Sequence, residues 1–312
     1  MEKKGVISLG EAFVDYIPVD NTNTNFQQLL GGATVNVAVG TSRLGVPTYY
    51  LCKLGEDDTS QFVKQQLIKE GINTQYAVHT SSKKICGVYV HTKENGERFF
   101  HSYVNETPDE VLTANELSKE VFKKAKIFYF GSGTLFHPKA KEATETSLKY
   151  AKEFGHTIAF DTNIRLQRWE SEELCRQTVI SFLKKADIVK LAEDELSFLT
   201  ETASFEIGLE KLSIWKIPFL FVTMGGKGAY AIGNGHKVFV PAPSVNAVDT
   251  NGAGDAFMAA LLYCFHDKGK PVDQTDLTTY LQFANQVGAA ATTQIGSLPA
   301  KFDLVELKKH IK

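Results

Sequence analysis

HTIAFDTNIRLQRW, residues 156–169, starts as a nearly continuous apolar run and ends in a polar turn. An apolar run without alternation is the pattern of a strand covered by helices on both sheet faces. KIFYFGS (126–132), DIVKLA (187–192) and PFLFVTM (218–224) repeat it. Helix-like segments at 138–154, 171–185 and 204–216 lie between these strands. That rhythm predicts stacked βαβ units and a mainly parallel sheet. TANELSKEVFKKA (113–125) reads as a further helix opened by a capping box, Thr113 with Glu116. Open α/β sheets bind ligands beyond the carboxyl ends of their strands, where Asp161, Asn163 and Arg165 fall. The Arg165 fork suits an oxyanion, and an ordinary surface salt bridge is the alternative.

From 72 to 104 the helical rhythm stops. KKICGVYVHT and GERFFHSYV flank KENG, a hairpin signal, and AFVDYIPVD (12–20) is also strand-like. These stretches predict a small antiparallel sheet projecting from one α/β domain that spans 1–312. Its uncovered face needs a ligand, another subunit, or both.

Composition bounds the function. The 312 residues are 43% hydrophobic and 22% charged with net charge −2, which leaves no basic footprint for nucleic acid or membrane. No run approaches the ~18 apolar residues of a spanning helix. MEKKGVISLGEAF reads as a first strand rather than a signal peptide. Cys52, Cys86, Cys175 and Cys264 are scattered, as thiols of a reducing cytoplasm are, and the eight histidines show no metal-ligand spacing.

AVDTNGAGDAF (247–257) carries the sharpest chemistry. A dinucleotide fingerprint needs glycine at Phe257, and TMGGKGAY has Gly228 where a Walker A loop needs Ser or Thr. What remains is a helix start at about residue 253, whose free N–H groups and positive dipole end can receive an anion. Asp255 is then either a first-turn acid worth ~0.3–1 kcal/mol or a general base beside an anion hole. The glycines and the preceding Asp249 favour the base.

This stretch resembles the DTxGAGD signature of the ribokinase-like (PfkB) carbohydrate kinases, and GGATVNVAVGTSRLG (31–45) resembles the other signature of that family. The resemblance covers nearly the whole chain. It implies the ribokinase-like α/β fold with a β-sheet lid, here about 12–20 and 72–104, and ATP-dependent phosphorylation of a sugar hydroxyl with Mg²⁺. It makes Asp255 the base and the amides of Gly252, Ala253 and Gly254 the anion hole, with Arg165 as clamp. Asp15, Gly31, Gly32 and Asn36 match sugar-binding positions, and Asn163 belongs to a DxNxR…W run found in fructokinase-like and 2-keto-3-deoxygluconate-kinase-like members. Thr223, Gly225 and Gly228 in VTMGGKGAY match the nucleotide loop, and Asn285 lies on the adenine side. Asp249 matches an aspartate that, with carbonyls, often binds a monovalent cation such as K⁺. Ala192 stands where many members have the asparagine of NxxE, leaving Glu195 to orient Mg²⁺ through water.

Asp109 fills an aspartate position of fructokinases, where a carboxylate suits a neutral polyol and repels a sugar acid. An arginine common after the lid tyrosine is absent, the chain reading Tyr103-Val104-Asn105. The expected activity is conversion of fructose to fructose 6-phosphate, with 2-keto-3-deoxygluconate as the nearest rival acceptor. A nicotinamide-dependent dehydrogenase and a catalytically silent sugar-binding protein are the alternatives from other classes. Pairing of two lids into a homodimer is left open.

Overall fold

The computed structural model describes residues 3–20, 22–93, 98–296 and 298. The central sheet runs from edge to edge as β14 (His236–Val240), β13 (Ala229–Gly233), β12 (Phe219–Thr223), β11 (Ile188–Ala192), β10 (Thr157–Asp161), β9 (Ile127–Gly131), β1 (Val6–Leu9) and β4 (Thr48–Leu51). All pairings from β12 to β4 are parallel, and only β13 and β14 turn back antiparallel. The four strands expected from apolar runs all form. Alternate residues of each serve opposite cores. Ile127 and Tyr129 face α1 (Ala33–Arg43), α8 (Ala253–Asp267) and α9 (Gln274–Ala291), while Phe128 and Phe130 face the other helix layer. That layer comprises α3 (Lys119–Phe122), α4 (Pro138–Glu153), α5 (Glu172–Leu183), α6 (Glu193–Thr200) and α7 (Phe205–Ser213). Phe130 stacks on Phe160 at 4.6 Å, and such fully buried rings each contribute roughly 1.5–3 kcal/mol of transfer free energy.

Helix α8 is apolar nearly all round because it lies between the sheet, α1 and α9. Its first turn therefore cannot drift, and neither can Asp255. Ser171 and Ser204 cap α5 and α7 where the sequence places their starts.

Two expectations need correction. Residues 113–125 do not form one helix. Glu116 accepts the Thr113 N–H at 2.9 Å as the capping box requires, but this opens only a single 3₁₀ turn, Ala114–Glu116, before the one-turn α3. The lid boundaries also move. The second sheet is β3 (Phe26–Gly31), β2 (Phe13–Pro18), β7 (Cys86–Thr92) and β8 (Arg98–Val104). Strand β3 carries Gln27 and Gln28 at an edge and shows no alternating pattern, so its place rests on pairing with β2. Residues 72–85 lie outside this sheet, where β6 (Val78–His79) pairs with β5 (Lys53–Leu54) behind α2 (Asp58–Lys69). The sheet is antiparallel except at β2–β7, which is parallel. The tip of the KENG turn falls outside the described residues.

Candidate active site

A cavity of about 470 Å³ separates the lid from the carboxyl ends of β1, β9 and β10 and the start of α8. Strand periodicity selects what the lid contributes: Phe13, Asp15 and Ile17 on β2, and Val88 and Val90 on β7. On β8 the pairing shifts by one residue after the Tyr89–Ser102 pair, skipping His101, so Phe100 and Tyr103, three apart, both face inward.

At the other wall the chain turns through Gly252 in the left-handed region (φ 76°) and enters α8. Gly252 and Asp255 line the cavity. The Ala253 N–H makes only a long contact, 3.4 Å, to the Thr250 carbonyl, and the first-turn amides otherwise lack helical acceptors. Asp255 is 9% exposed, and Asn36 Nδ2 donates to its Oδ2 at 2.8 Å. Asn36 Oδ1 is buried without a hydrogen-bond partner, an acceptor aimed where a hydroxyl could satisfy it. Burial raises the Asp255 carboxyl above the usual range, with Asn36, Lys190 and Arg165 pulling it back. A carboxylate so raised is the better proton acceptor.

Behind this turn lies a charged group that the sequence reading missed. Lys190 Nζ sits 3.1 and 3.2 Å from the two oxygens of Asp161, and both side chains are buried. A Cβ placed on Gly254 would stand 2.9 Å from that ammonium, so the glycine lets the helix start approach it. Burial opposes the Lys190 charge, but Asp161, Glu195 and Asp255 outweigh it and hold the proton. Tyr129 Oη lies near the same acids, buried and without a partner. The available signal was a lone lysine inside the apolar run DIVKLA.

On the sugar side, glycine at 31 leaves room for Asp15, whose carboxyl atoms would lie 2.4–2.6 Å from a Cβ there. Gly32 takes φ 108°, closed to other residues, and its amide chain leads into α1. Asn163 and Arg165 line the cavity, Asn163 with φ 29° and Arg165 exposed at the rim. The structure adds Glu11 and Arg168 to this wall.

Apart from Asp249, the other sequence candidates are not brought into the cavity. Asp109 points its largely exposed carboxylate at His137 Nε2, 3.1 Å away. Asn285 Nδ2 donates to the Val240 carbonyl at 2.9 Å and so secures the end of β14. Gly228 is required by packing, since a Cβ would meet the Val240 carbonyl oxygen at 2.2 Å. Thr223 closes β12, and Gly225 opens the tight turn to β13. Glu195 accepts from Thr162 Oγ1 (2.7 Å), the Ala192 N–H (2.8 Å) and the Ile164 N–H, so both oxygens already have protein donors. Asp249 lines the cavity and accepts from the Asn251 and Gly296 N–H groups, both at 3.0 Å.

A buried acid hydrogen-bonded to Asn36, next to an anion-receptive helix start, fits a phosphotransferase acting on a hydroxyl. The chain belongs to the pfkB family of carbohydrate kinases, whose family model matches residues 3–301. It is 35% identical to the probable fructokinase-5 of Arabidopsis thaliana over 98% of this chain and 97% of that one. Among solved structures, the fructokinase of Vibrio cholerae O395 bound to fructose, ADP and calcium superposes with a TM-score of 0.87 at 30% identity, covering 99% of both chains. The aminoimidazole riboside kinase of Salmonella enterica, bound to its riboside and an ATP analogue, gives 0.86 at 25% identity, covering 99% of this chain and 100% of that one. The fold is accordingly the ribokinase-like one, and the protein is a sugar kinase.

Proposed function

We propose that this kinase transfers the γ-phosphoryl group of ATP to the 6-hydroxyl of fructose. The observation that carries the reading is the Asn36–Asp255 pair. It supplies an oriented, buried carboxylate and, beside it, an amide oxygen without a donor. Asp255 takes the proton from the attacking hydroxyl as the oxygen bonds to phosphorus. The amides of Gly252, Ala253 and Gly254 face the charge developing on the phosphoryl oxygens, and Arg165 neutralises it from the rim. Asp15 and Asn36 fix the sugar, with Gly31, Gly32 and Asn163 shaping its seat. Thr223, Gly225, Gly228 and Asn285 build the strand ends flanking the nucleotide.

Among the described residues no three acidic, histidine or cysteine groups cluster as a metal cage. That donor set fits Mg²⁺ carried on the ATP phosphates with most of its waters, Glu195 acting at most through one of them. Bound there, Mg²⁺ neutralises phosphate charge. Asp249, joined to the 292–296 turn, is the residue proposed to hold K⁺ beside carbonyls.

A second reading is favoured by one observation. Arg165 and Arg168 both line the cavity, and Asp109 stands outside it, so repulsion by Asp109 does not exclude a sugar acid such as 2-keto-3-deoxygluconate. A coupled ADP-release assay over ketoses, aldoses, ribosides and sugar acids decides, with ³¹P NMR of the product. Turnover of fructose above all others supports the proposal; turnover of the sugar acid alone refutes it. The buried free thiols fit the reducing cytoplasm proposed as its location. Val104, 45% exposed on edge strand β8 and on the face opposite Tyr103, is proposed to be covered by a second lid in a homodimer, which sedimentation velocity tests.

A further inference from the structure

Arg168 sits in the 3₁₀ turn Leu166–Arg168, one turn beyond the carboxyl end of β10, and only 17% of its side chain is exposed. Its guanidinium carbon lies 4.1 Å from the Phe136 ring centre on the body. It also lies 5.1 Å from Phe13 and 5.8 Å from Tyr103, on lid strands β2 and β8. Nη2 donates to Glu11 Oε2 at 3.3 Å, and Glu11 Oε1 accepts from buried Lys83 at 3.3 Å. Glu11 precedes the first lid strand and Lys83 precedes β7, so one cation touches the body, two lid strands and one lid root, and through Glu11 it is tied to the other. Phe13 shares its strand face with Asp15, which places the guanidinium at the sugar end of the cavity that it lines. Among the described residues no second acceptor takes its N–H groups. Three rings pack around the guanidinium, so its donors are held in place before a ligand arrives.

We propose that Arg168 is a specificity-determining residue: it donates to one sugar oxygen remote from the phosphorylated hydroxyl and, through Phe13 and Tyr103, couples occupancy of that position to lid placement. This rests on the sugar-kinase reading above and adds a substrate requirement to it, an acceptor oxygen at one fixed place. An aliphatic residue there would select shape alone.

The test is a cycle between Arg168→Met and a panel of monodeoxy and epimeric forms of whichever sugar the wild type phosphorylates fastest. Arg168→Met is expected to raise the sugar KM about 10- to 100-fold, the worth of a hydrogen bond from a charged donor, with kcat and the ATP KM within about threefold. For one monodeoxy analogue, and that one only, the penalty is expected to shrink below about threefold. Arg168→Lys, which keeps charge but not the stacked fork, is expected to fall between the two and serves if the Met variant does not fold. An equal penalty for every analogue overturns the proposal, as does a loss confined to kcat. Failure of the wild type on fructose bears only on the substrate named above, because the cycle uses the best sugar found.

Discussion

The two walls of the cavity are built on opposite plans. Behind the start of α8 three charged groups are deeply buried and answered: Lys190 by Asp161, Glu195 by the Ala192 and Ile164 amides, Asp255 by Asn36. Across from it the lid offers rings, with Tyr103 and Phe100 39% and 50% exposed. The body wall thus works by preorganised fields in a place water barely reaches, which is where electrostatic stabilisation is strongest. The lid wall works by shape, and its surfaces are completed only where they meet Arg168 and a sugar. Changes to the first wall should strike kcat, and changes to the second should strike the sugar KM.

The largest break in that pattern is expected from Asp255→Asn. It keeps an acceptor for Asn36 but removes the base, so kcat should fall about 10²-fold or more with sugar affinity largely kept. Single-turnover rates and sugar titration check this, and near-normal turnover would remove Asp255 from its role. Lys190→Met comes next. The lost cation no longer depresses the Asp255 carboxyl. That carboxyl must be ionised to accept a proton, so the acid limb of kcat should move to higher pH. We expect kcat to drop about 10-fold or more, and stability to fall by about 3–5 kcal/mol because Asp161 is left buried and unpaired. Pairing the change with Asp161→Leu should restore much of that stability without restoring kcat. An unmoved acid limb in a folded variant would show that the buried pair is structural only.

The same division explains what the sequence could show. Apolar runs and helix-like segments are local signals, and they located β9 to β12 and the starts of α5 and α7. AVDTNGAGDAF is also local, one turn that holds the acid and its glycines, so their place at the start of α8 was legible. Lys190 and Arg168 were not, because each acquires meaning from partners far along the chain: Gly254 and Asp255 for one, Phe13, Tyr103 and Glu11 for the other. Edge strand β3 fails for a related reason, since its glutamines face solvent and only pairing with β2 makes it a strand. Asp109 errs in the other direction. Its motif position matches, yet its carboxylate meets His137 and solvent outside the cavity.

Two smaller changes sharpen the contrast on the lid side. Gly31→Ala puts a methyl against the Asp15 carboxyl, the movable end of a side chain, so displacement rather than unfolding is expected. A reading group shifted by about 1 Å should raise the sugar KM roughly 10-fold or more and leave the acid limb of kcat where it was. If kcat falls instead, the lid wall takes part in chemistry and the division is wrong.

Asp109→Asn should do least. The carboxylate is 83% exposed and lies outside the cavity, and its contact with His137 is a surface pair of the kind worth ~0–1 kcal/mol. Sugar KM, kcat and the ratio of fructose to sugar-acid turnover should each stay within about twofold. This is a sharp test because the motif match and the fold disagree about the same residue. A tenfold rise in KM for neutral sugars alone would mean that the lid brings Asp109 inward when sugar binds. Selection would then depend on a charge carried in by closure rather than on the wall formed by Asp15, Glu11 and Arg168.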